Sequence, residues 1–197
     1  MAVLMSYDLA FDFRYAFFDD DWVIYQIGFL WKNEPILREQ VLKYQDWREI
    51  PEDYEIPQGA FLANDVREDW FLPILGHVLD TDKAECWQPL EPDITVAIYS
   101  DNFFPFAPEI IERKGQQLQY LNEMKEAKKK LKEEKGKQPD DRFQLFVFAD
   151  TKILKDSVSY TGSGIGLKMN VKRQQLEIFY NELEAEYTEF KKAFKID

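Results

Sequence analysis

Histidine and cysteine are almost absent from this sequence, with one residue of each, His77 and Cys86, among 197. These residue types supply many of the bases, nucleophiles and transition-metal ligands of proteins. A single cysteine cannot form an intramolecular disulfide, and no apolar run reaches the roughly 20 residues of a membrane-spanning helix. We therefore predict no catalytic residue, no metal site and no cofactor. We expect a reducing, cytoplasmic compartment and no membrane partner.

Aromatic and acidic side chains are abundant instead. The 16 Phe, 10 Tyr and 5 Trp residues, in a chain that is 45% hydrophobic, are enough for one buried core, so we predict a single domain over residues 1–197. The 37 acidic residues outnumber the 25 basic ones and give a net charge of -12. Such a surface repels the phosphates of nucleic acids and attracts basic proteins. We therefore expect a basic protein partner and no nucleic acid.

Apolar residues alternate with polar ones along several segments, as in strands with one buried face. Every second residue from position 7 to position 17 is apolar, beginning with Tyr7. After a turn of three aspartates, residues 22–31 are apolar on both faces, so both faces should be covered. The same pattern predicts further strands near residues 94–98, 143–147, 158–160 and 165–169. The predicted fold class is α+β, with a mostly antiparallel sheet of five to seven strands.

Besides the charged segment 109–139, helical patterns occur in three places. The first begins at Pro35 and is ambiguous, with a short helix that has Pro35 in its first turn as one interpretation. The second is a core helix after Asp65, which has capping-box spacing to Glu68. Pro73 should kink this second helix or mark its true start. The third is a C-terminal amphipathic helix packed on the sheet and capped by Asn170. Its apolar stripe recurs every three or four residues: Leu176, Phe179, Leu183, Tyr187, Phe190 and Phe194.

The segment 109–139 differs from the rest of the chain in charge. Residues 112–142 hold ten basic and seven acidic residues, whereas the remainder carries 15 basic and 30 acidic ones. The apolar stripe of this segment is thin, so we predict a long charged helical insertion that is an appendage of the domain. One functional hypothesis is accordingly a structural scaffold protein that self-associates through residues 109–135.

Residues 45–59 are the best candidate for a binding site. They carry prolines, many acids and few aliphatic residues, which predicts an ordered surface loop. Trp and Tyr are frequent hot-spot residues of protein interfaces, and acidic neighbours steer a basic partner toward them. The predicted partner-binding residues are Trp47, Glu49, Glu52, Asp53, Tyr54 and Glu55. The alternative interpretation is that the two aromatic rings only cover the core.

A different hypothesis is a small hydrolase or ligand-binding enzyme with a cleft around His77. His77 and Cys86 are suited to act as base and nucleophile, with Asp80 or Asp82 to orient the base. No familiar local motif surrounds either residue. A buried or half-buried helix histidine and a small packed cysteine explain both, so we expect that neither is catalytic.

Two features of the chain occur in a recognisable order. The core helix is followed by the sequence LEPDITV at residues 90–96, and a C-terminal hairpin strand runs directly into the amphipathic helix at Leu176 and Glu177. This order, over about residues 65–99 and 143–194, resembles the WapI-like immunity proteins of bacterial polymorphic-toxin systems. The resemblance implies an antiparallel α+β domain that binds and blocks a cognate toxin, and it carries over no binding residues. The leading hypothesis is a non-enzymatic, acidic, immunity-like protein that inhibits or shields a basic protein partner.

Overall fold

The computed structural model describes residues 2–19, 22–37, 50–66, 71–89, 94–100, 141–150 and 164–196. Over these ranges the chain forms nine strands and two helices, with two antiparallel sheets that contribute to one hydrophobic core. The predicted α+β class is confirmed, although the strands form two sheets rather than one. The predicted charged helix of residues 109–139 and the predicted strand of residues 158–160 lie outside the described residues.

The first sheet contains five strands. Strands β1 to β4 are neighbours in chain order, and β5 pairs with the part of β3 that β4 leaves uncovered. Side chains alternate between the two faces of each strand. The inner face carries residues such as Phe13 and Tyr25 into the core, and the outer face carries residues such as Asp12 and Gln26. The bounds are β1 Ala2–Ser6, β2 Leu9–Asp19, β3 Trp22–Trp31, β4 Glu34–Pro35 and β5 Ala60–Val66.

A β-bulge interrupts the alternation of β2. The register with β3 shifts between Tyr15 and Phe17, so that Ala16 is the extra residue. Phe17 therefore pairs with Ile24 on the outer face, and together with Leu62 it forms a second, smaller hydrophobic cluster. The sequence pattern had placed Phe17 on the same face as the preceding aromatic residues. The prediction that both faces of β3 are covered is confirmed, because most of its residues are buried.

The second sheet contains four strands, each antiparallel to the next. They are β6 Glu85–Trp87, β7 Ile94–Ser100, β8 Arg142–Asp150 and β9 Gly164–Lys172. Residues such as Val96, Leu145 and Met169 point from this sheet into the common core. The two sheets meet where the Ser6 hydroxyl of β1 donates a hydrogen bond of 2.6 Å to the carbonyl oxygen of Asn170 in β9.

The helix α1 (Phe71–Thr81) packs into an aromatic centre of the core. Pro73 lies in its first turn, where a missing backbone N–H removes no helical hydrogen bond, so this proline marks the start of the helix. The ring centroid of Trp87 lies 4.9 Å from that of Phe71, 5.5 Å from that of Tyr25 and 5.9 Å from that of Phe13. One side chain thereby contacts α1 and the inner face of the first sheet.

The helix α2 (Arg173–Phe194) is the predicted C-terminal amphipathic helix, packed on the first sheet and on α1. Its buried residues are Leu176, Phe179, Leu183 and Phe190, whereas Tyr187 is half-buried and Phe194 is exposed. The carboxylate of Glu186 accepts a 3.0 Å hydrogen bond from the backbone N–H of Tyr15, where β2 extends beyond the end of β1. This contact ties the helix to the backbone of the sheet.

Four residues lie in different elements from those predicted. Tyr7 is in the turn between β1 and β2 rather than in a strand, and Pro35 is in β4 rather than in a helix. Asp65 lies in β5, so it does not cap α1. Asn170 lies in β9, and Lys172 is the residue at the N-cap of α2. For Asp65 and Asn170, strand pairing with residues distant in the chain overrides a local signal. Tyr7 and Pro35 differ from prediction because two tight turns, each joining neighbouring strands, lie beside them.

Candidate functional site

The described part of the predicted binding loop, residues 50–59, consists of two successive turns. The backbone N–H of Tyr54 donates to the carbonyl oxygen of Pro51 at 2.9 Å, and that of Ala60 donates to Pro57 at 3.1 Å. Each turn therefore begins at a proline, whose fixed φ angle restricts the backbone. Trp47 and Glu49 lie outside the described residues, so their part in the site stays a prediction.

Three apolar side chains fix this loop to the outer face of the first sheet. Ile50, Tyr54 and Ile56 pack against the cluster that contains Phe17. The ring of Tyr54 stands edge-on to Phe17 at 5.3 Å between centroids. Its hydroxyl donates a 2.6 Å hydrogen bond to Oε1 of Gln26, a buried residue of β3. Burial raises the pKa of Tyr54 to about 12.

The three predicted acids that the structure describes, Glu52, Asp53 and Glu55, are all exposed. They lie on either side of the half-buried Tyr54, and residues 50–59 contain no basic residue. The loop therefore presents three negative charges on a backbone that is fixed to the sheet. Tyr54 differs from the others, because its ring and hydroxyl are used within the protein.

Beneath the loop, the outer face of the first sheet is more polar than its inner face. Arg14 donates two hydrogen bonds to the buried carboxylate of Asp12, at 3.1 and 3.0 Å, and this partner raises the pKa of Arg14. The amide of the buried Asn64 and Nε2 of Gln26 have no hydrogen-bond partner among the described residues. The Asp12–Arg14 pair is neutral as a whole, so it does not offset the charges of the exposed loop acids.

The acids of the candidate site were predicted from the sequence, but the residues that hold the loop in place, Gln26 and Phe17, were not. Gln26 stands in an apolar strand 28 residues before Tyr54, and nothing local relates the two. Phe17 was expected on the other face, because the bulge at Ala16 has no clear sequence signal. The alternative interpretation, in which the aromatic rings of the loop cover the core, did anticipate packing by Tyr54, and Ile50 and Ile56 are further local signs that the loop packs on the sheet.

The structure separates the two residues of the alternative enzymatic site. His77 is exposed on α1, and its Nε2 lies 3.3 Å from Oε1 of Glu85 in β6. Cys86 is also exposed, and as the next residue along the strand it points to the face opposite Glu85. Partial burial and the charge of Glu85 raise the pKa of the Cys86 thiol, which disfavours the nucleophilic thiolate. The expectation that His77 is at least half-buried and Cys86 packed was wrong, since His77 lies on the exposed side of α1 and Cys86 lies in a three-residue edge strand.

Of the two proposed orienting aspartates, Asp82 is paired with another residue. Asp82 has a left-handed backbone (φ 57°), and its carboxylate accepts a hydrogen bond from Arg173. Arg173 also donates to the carbonyl oxygen of Leu79 at 2.8 Å and so caps the C-terminal end of α1. Asp82 is therefore part of a contact between α1 and α2. Asp80 is exposed.

Two further findings concern the described ranges alone. They contain no group of three or more His, Cys, Asp or Glu side chains arranged to hold a metal ion. Neither α1 nor α2 is long and apolar enough to cross a membrane.

Comparison of the chain with family models, curated proteins and solved structures gives no match. The function must therefore be inferred from the residues and their geometry.

Proposed function

We propose that this chain is a non-enzymatic acidic protein that binds a basic protein partner and inhibits or shields it, as immunity proteins do. The observation that supports the proposal is the loop of residues 50–59. Its acids Glu52, Asp53 and Glu55 are exposed, while Tyr54 fixes the loop to Phe17 and Gln26. A binding site of this kind needs no cofactor and no catalytic group.

The fixed loop favours binding because little conformational entropy is lost when the partner arrives. A mobile loop must be ordered on binding, at a cost of about 0.5–1.5 kcal/mol for each immobilised side chain. Here two proline turns and three apolar contacts have already ordered the backbone. The acids keep their charges in water until the partner covers them.

The net charge of -12 supports the same interpretation. A strongly negative protein attracts a basic one over several ångströms, and this raises the rate of association more than it lowers the rate of dissociation. Trp47 and Glu49 are predicted to extend the same surface. A cytoplasmic location fits this proposal, because an unpaired Cys86 stays reduced there.

Affinity capture with three matched baits tests the proposal. The baits are the parent protein, a loop variant with Glu52→Gln, Asp53→Asn and Glu55→Gln, and a helix variant with Glu177→Gln, Glu182→Gln and Glu189→Gln. Both variants lose three negative charges from exposed positions, so only the location differs. We expect the parent and the helix variant to capture the same basic protein from a lysate of the source cells and the loop variant to capture less of it. Equal capture by all three baits would place the site elsewhere.

A further inference from the structure

Two exposed aromatic rings lie at one end of the first sheet, where two turns meet. The turn of Tyr7 and Asp8 joins β1 to β2, and the turn of Lys32 and Asn33 joins β3 to β4. The backbone N–H of Lys32 donates a 2.7 Å hydrogen bond to the carbonyl oxygen of Asp8, which holds the two turns together. Tyr7 is 93% exposed and Trp31 is 49% exposed. We call this corner the turn surface.

The backbone makes the choice of tyrosine at position 7 unusual. Tyr7 has φ 54°, in the left-handed region, which glycine and asparagine tolerate far better than a tyrosine. A nearly fully exposed ring also contributes no burial to the core. The fold therefore gains nothing from this side chain and carries some strain because of it. Strained, exposed residues of this kind are concentrated at binding sites.

The charges of the turn surface favour a cationic partner. The ammonium group of Lys32 lies 5.7 Å from the ring centroid of Trp31 and 4.0 Å from the carboxylate of Asp8, so it is already balanced within the protein. Glu34 pairs with Trp31 across β3 and β4 and is exposed. One negative charge thus remains beside Trp31, in a protein whose total charge is -12.

The turn surface is continuous with the loop of residues 50–59. Gly59, at the end of that loop, packs so tightly that a Cβ placed on it would lie 2.5 Å from both Cβ of Pro35 and the carbonyl oxygen of Leu37. Pro35 follows Glu34 in β4, which links the loop to the turn surface. Ile36, which is also exposed, adds apolar area between them.

We propose that the turn surface binds arginine side chains of the basic partner, with the guanidinium groups stacked on Tyr7 and Trp31. A guanidinium is planar and weakly hydrated, and it stacks on aromatic faces better than an ammonium does. The position of Lys32 over Trp31 shows that this ring already accepts a cation. The inference rests on the proposed function in one respect, namely that the partner is basic, but it uses different residues.

The test uses two defined probes, blocked hexa-arginine and hexa-lysine peptides of equal charge, measured by calorimetric titration. The parent should bind hexa-arginine more tightly than hexa-lysine. The double variant Tyr7→Asn with Trp31→Thr should bind hexa-arginine roughly fivefold or more weakly, because two exposed stacking contacts are lost. Its affinity for hexa-lysine should change less. The loop variant with Glu52→Gln, Asp53→Asn and Glu55→Gln should bind both peptides more weakly and to a similar degree, because it changes charge alone.

A stability measurement separates this role from a structural one. Asparagine tolerates a left-handed backbone, so Tyr7→Asn should leave the midpoint of urea unfolding unchanged or raise it while binding becomes weaker. A lowered midpoint would mean that the ring supports the fold, and this result would overturn the proposal. Unchanged binding of both peptides by the double variant would also overturn it. So would self-association of the parent that the double variant abolishes, since the occupant would then be a second copy.

The two proposals fail in different ways. If the loop variant binds both peptides like the parent while the double variant loses hexa-arginine, the acidic loop is not the binding site and the turn surface is. The reverse pattern would support the loop and overturn the inference about arginine.

Discussion

The two faces of the first sheet differ in how much apolar surface they bury. The inner face presents an almost unbroken layer of rings, and residues such as Phe11, Phe13 and Tyr25 are fully buried against α1, α2 and Trp87. Within the described ranges, the cluster of the outer face has three buried apolar residues, beside the Asp12–Arg14 pair and the buried amides of Gln26 and Asn64. The inner face thus provides most of the apolar burial, and the outer face supports a charged loop.

A comparison of two buried leucines tests this division and has the largest expected effect. Leu183 of α2 packs in the large cluster, and Leu62 of β5 packs in the small one. Leu183→Ala should lower the free energy of unfolding by ~2–5 kcal/mol, because the surrounding rings cannot collapse into the cavity. Leu62→Ala should lower it by about 2 kcal/mol, which is the cost of no longer burying the removed apolar groups. No further cost for a cavity is expected, because the half-buried neighbours of Leu62 can move into the space. Urea unfolding of both variants provides the values.

An equal loss in the two variants, or a loss below 1 kcal/mol for Leu183→Ala, would contradict the idea that the inner face dominates stability. Ile24→Val serves as a control on the outer face, because it removes one methylene group and should cost about 0.5–1.5 kcal/mol.

Tyr54→Phe tests the hydrogen bond that fixes the loop to the outer face. The substitution removes the donor to Oε1 of Gln26 and leaves a buried acceptor without its partner. We expect the free energy of unfolding to fall by about 1–2 kcal/mol. Tyr180→Phe is a matched control, since its hydroxyl makes a longer, exposed bond to Glu184 at 3.3 Å and should matter by less than about 0.5 kcal/mol. If the two variants lose the same stability, the Tyr54 hydroxyl does not hold the loop.

The pH dependence of stability gives a smaller effect with a definite sign. Burial raises the pKa of Tyr54 from 10.0 to about 12. Between these values the unfolded chain has lost this proton while the folded chain keeps it, so stability is lost as pH rises from 10 toward 12. The parent should therefore lose stability more steeply over this interval than Tyr54→Phe does. Parallel curves for the two proteins would mean that Tyr54 is not buried in solution.

Two strands could be predicted because the signal is local. Residues 9–15 and 143–147 each carry a large apolar side chain at every second position, and the structure confirms both strands. The strand β5 could not be predicted in this way. Asp65 was interpreted as a helix cap, and only its pairing with Val23 shows that it belongs to a strand. β6 has three residues, which is too short for a periodic pattern.

The candidate site shows the same limit. Its exposed acids were predicted from composition, since acids in a proline-braced loop stay in water. The hydrogen bond of Tyr54 to Gln26 could not be predicted, because it joins residues that come together only when the sheet has formed. The position of Tyr7 in a turn was not predicted, because the strand pattern continues into the turn, and a left-handed backbone has no sequence signature when the residue is tyrosine.

The most direct test of the acidic loop as the binding site is the rate of association with the captured basic partner at several salt concentrations. Stopped-flow measurements would compare the loop variant with the helix variant, which have the same net charge. At 0.15 M salt the Debye length is about 8 Å, so only charges near the partner contribute strongly. The proposal predicts that the loop variant associates more slowly, with a weaker dependence on salt, while the two dissociation rates stay similar. Equal association rates and equal salt dependence in the two variants would contradict it.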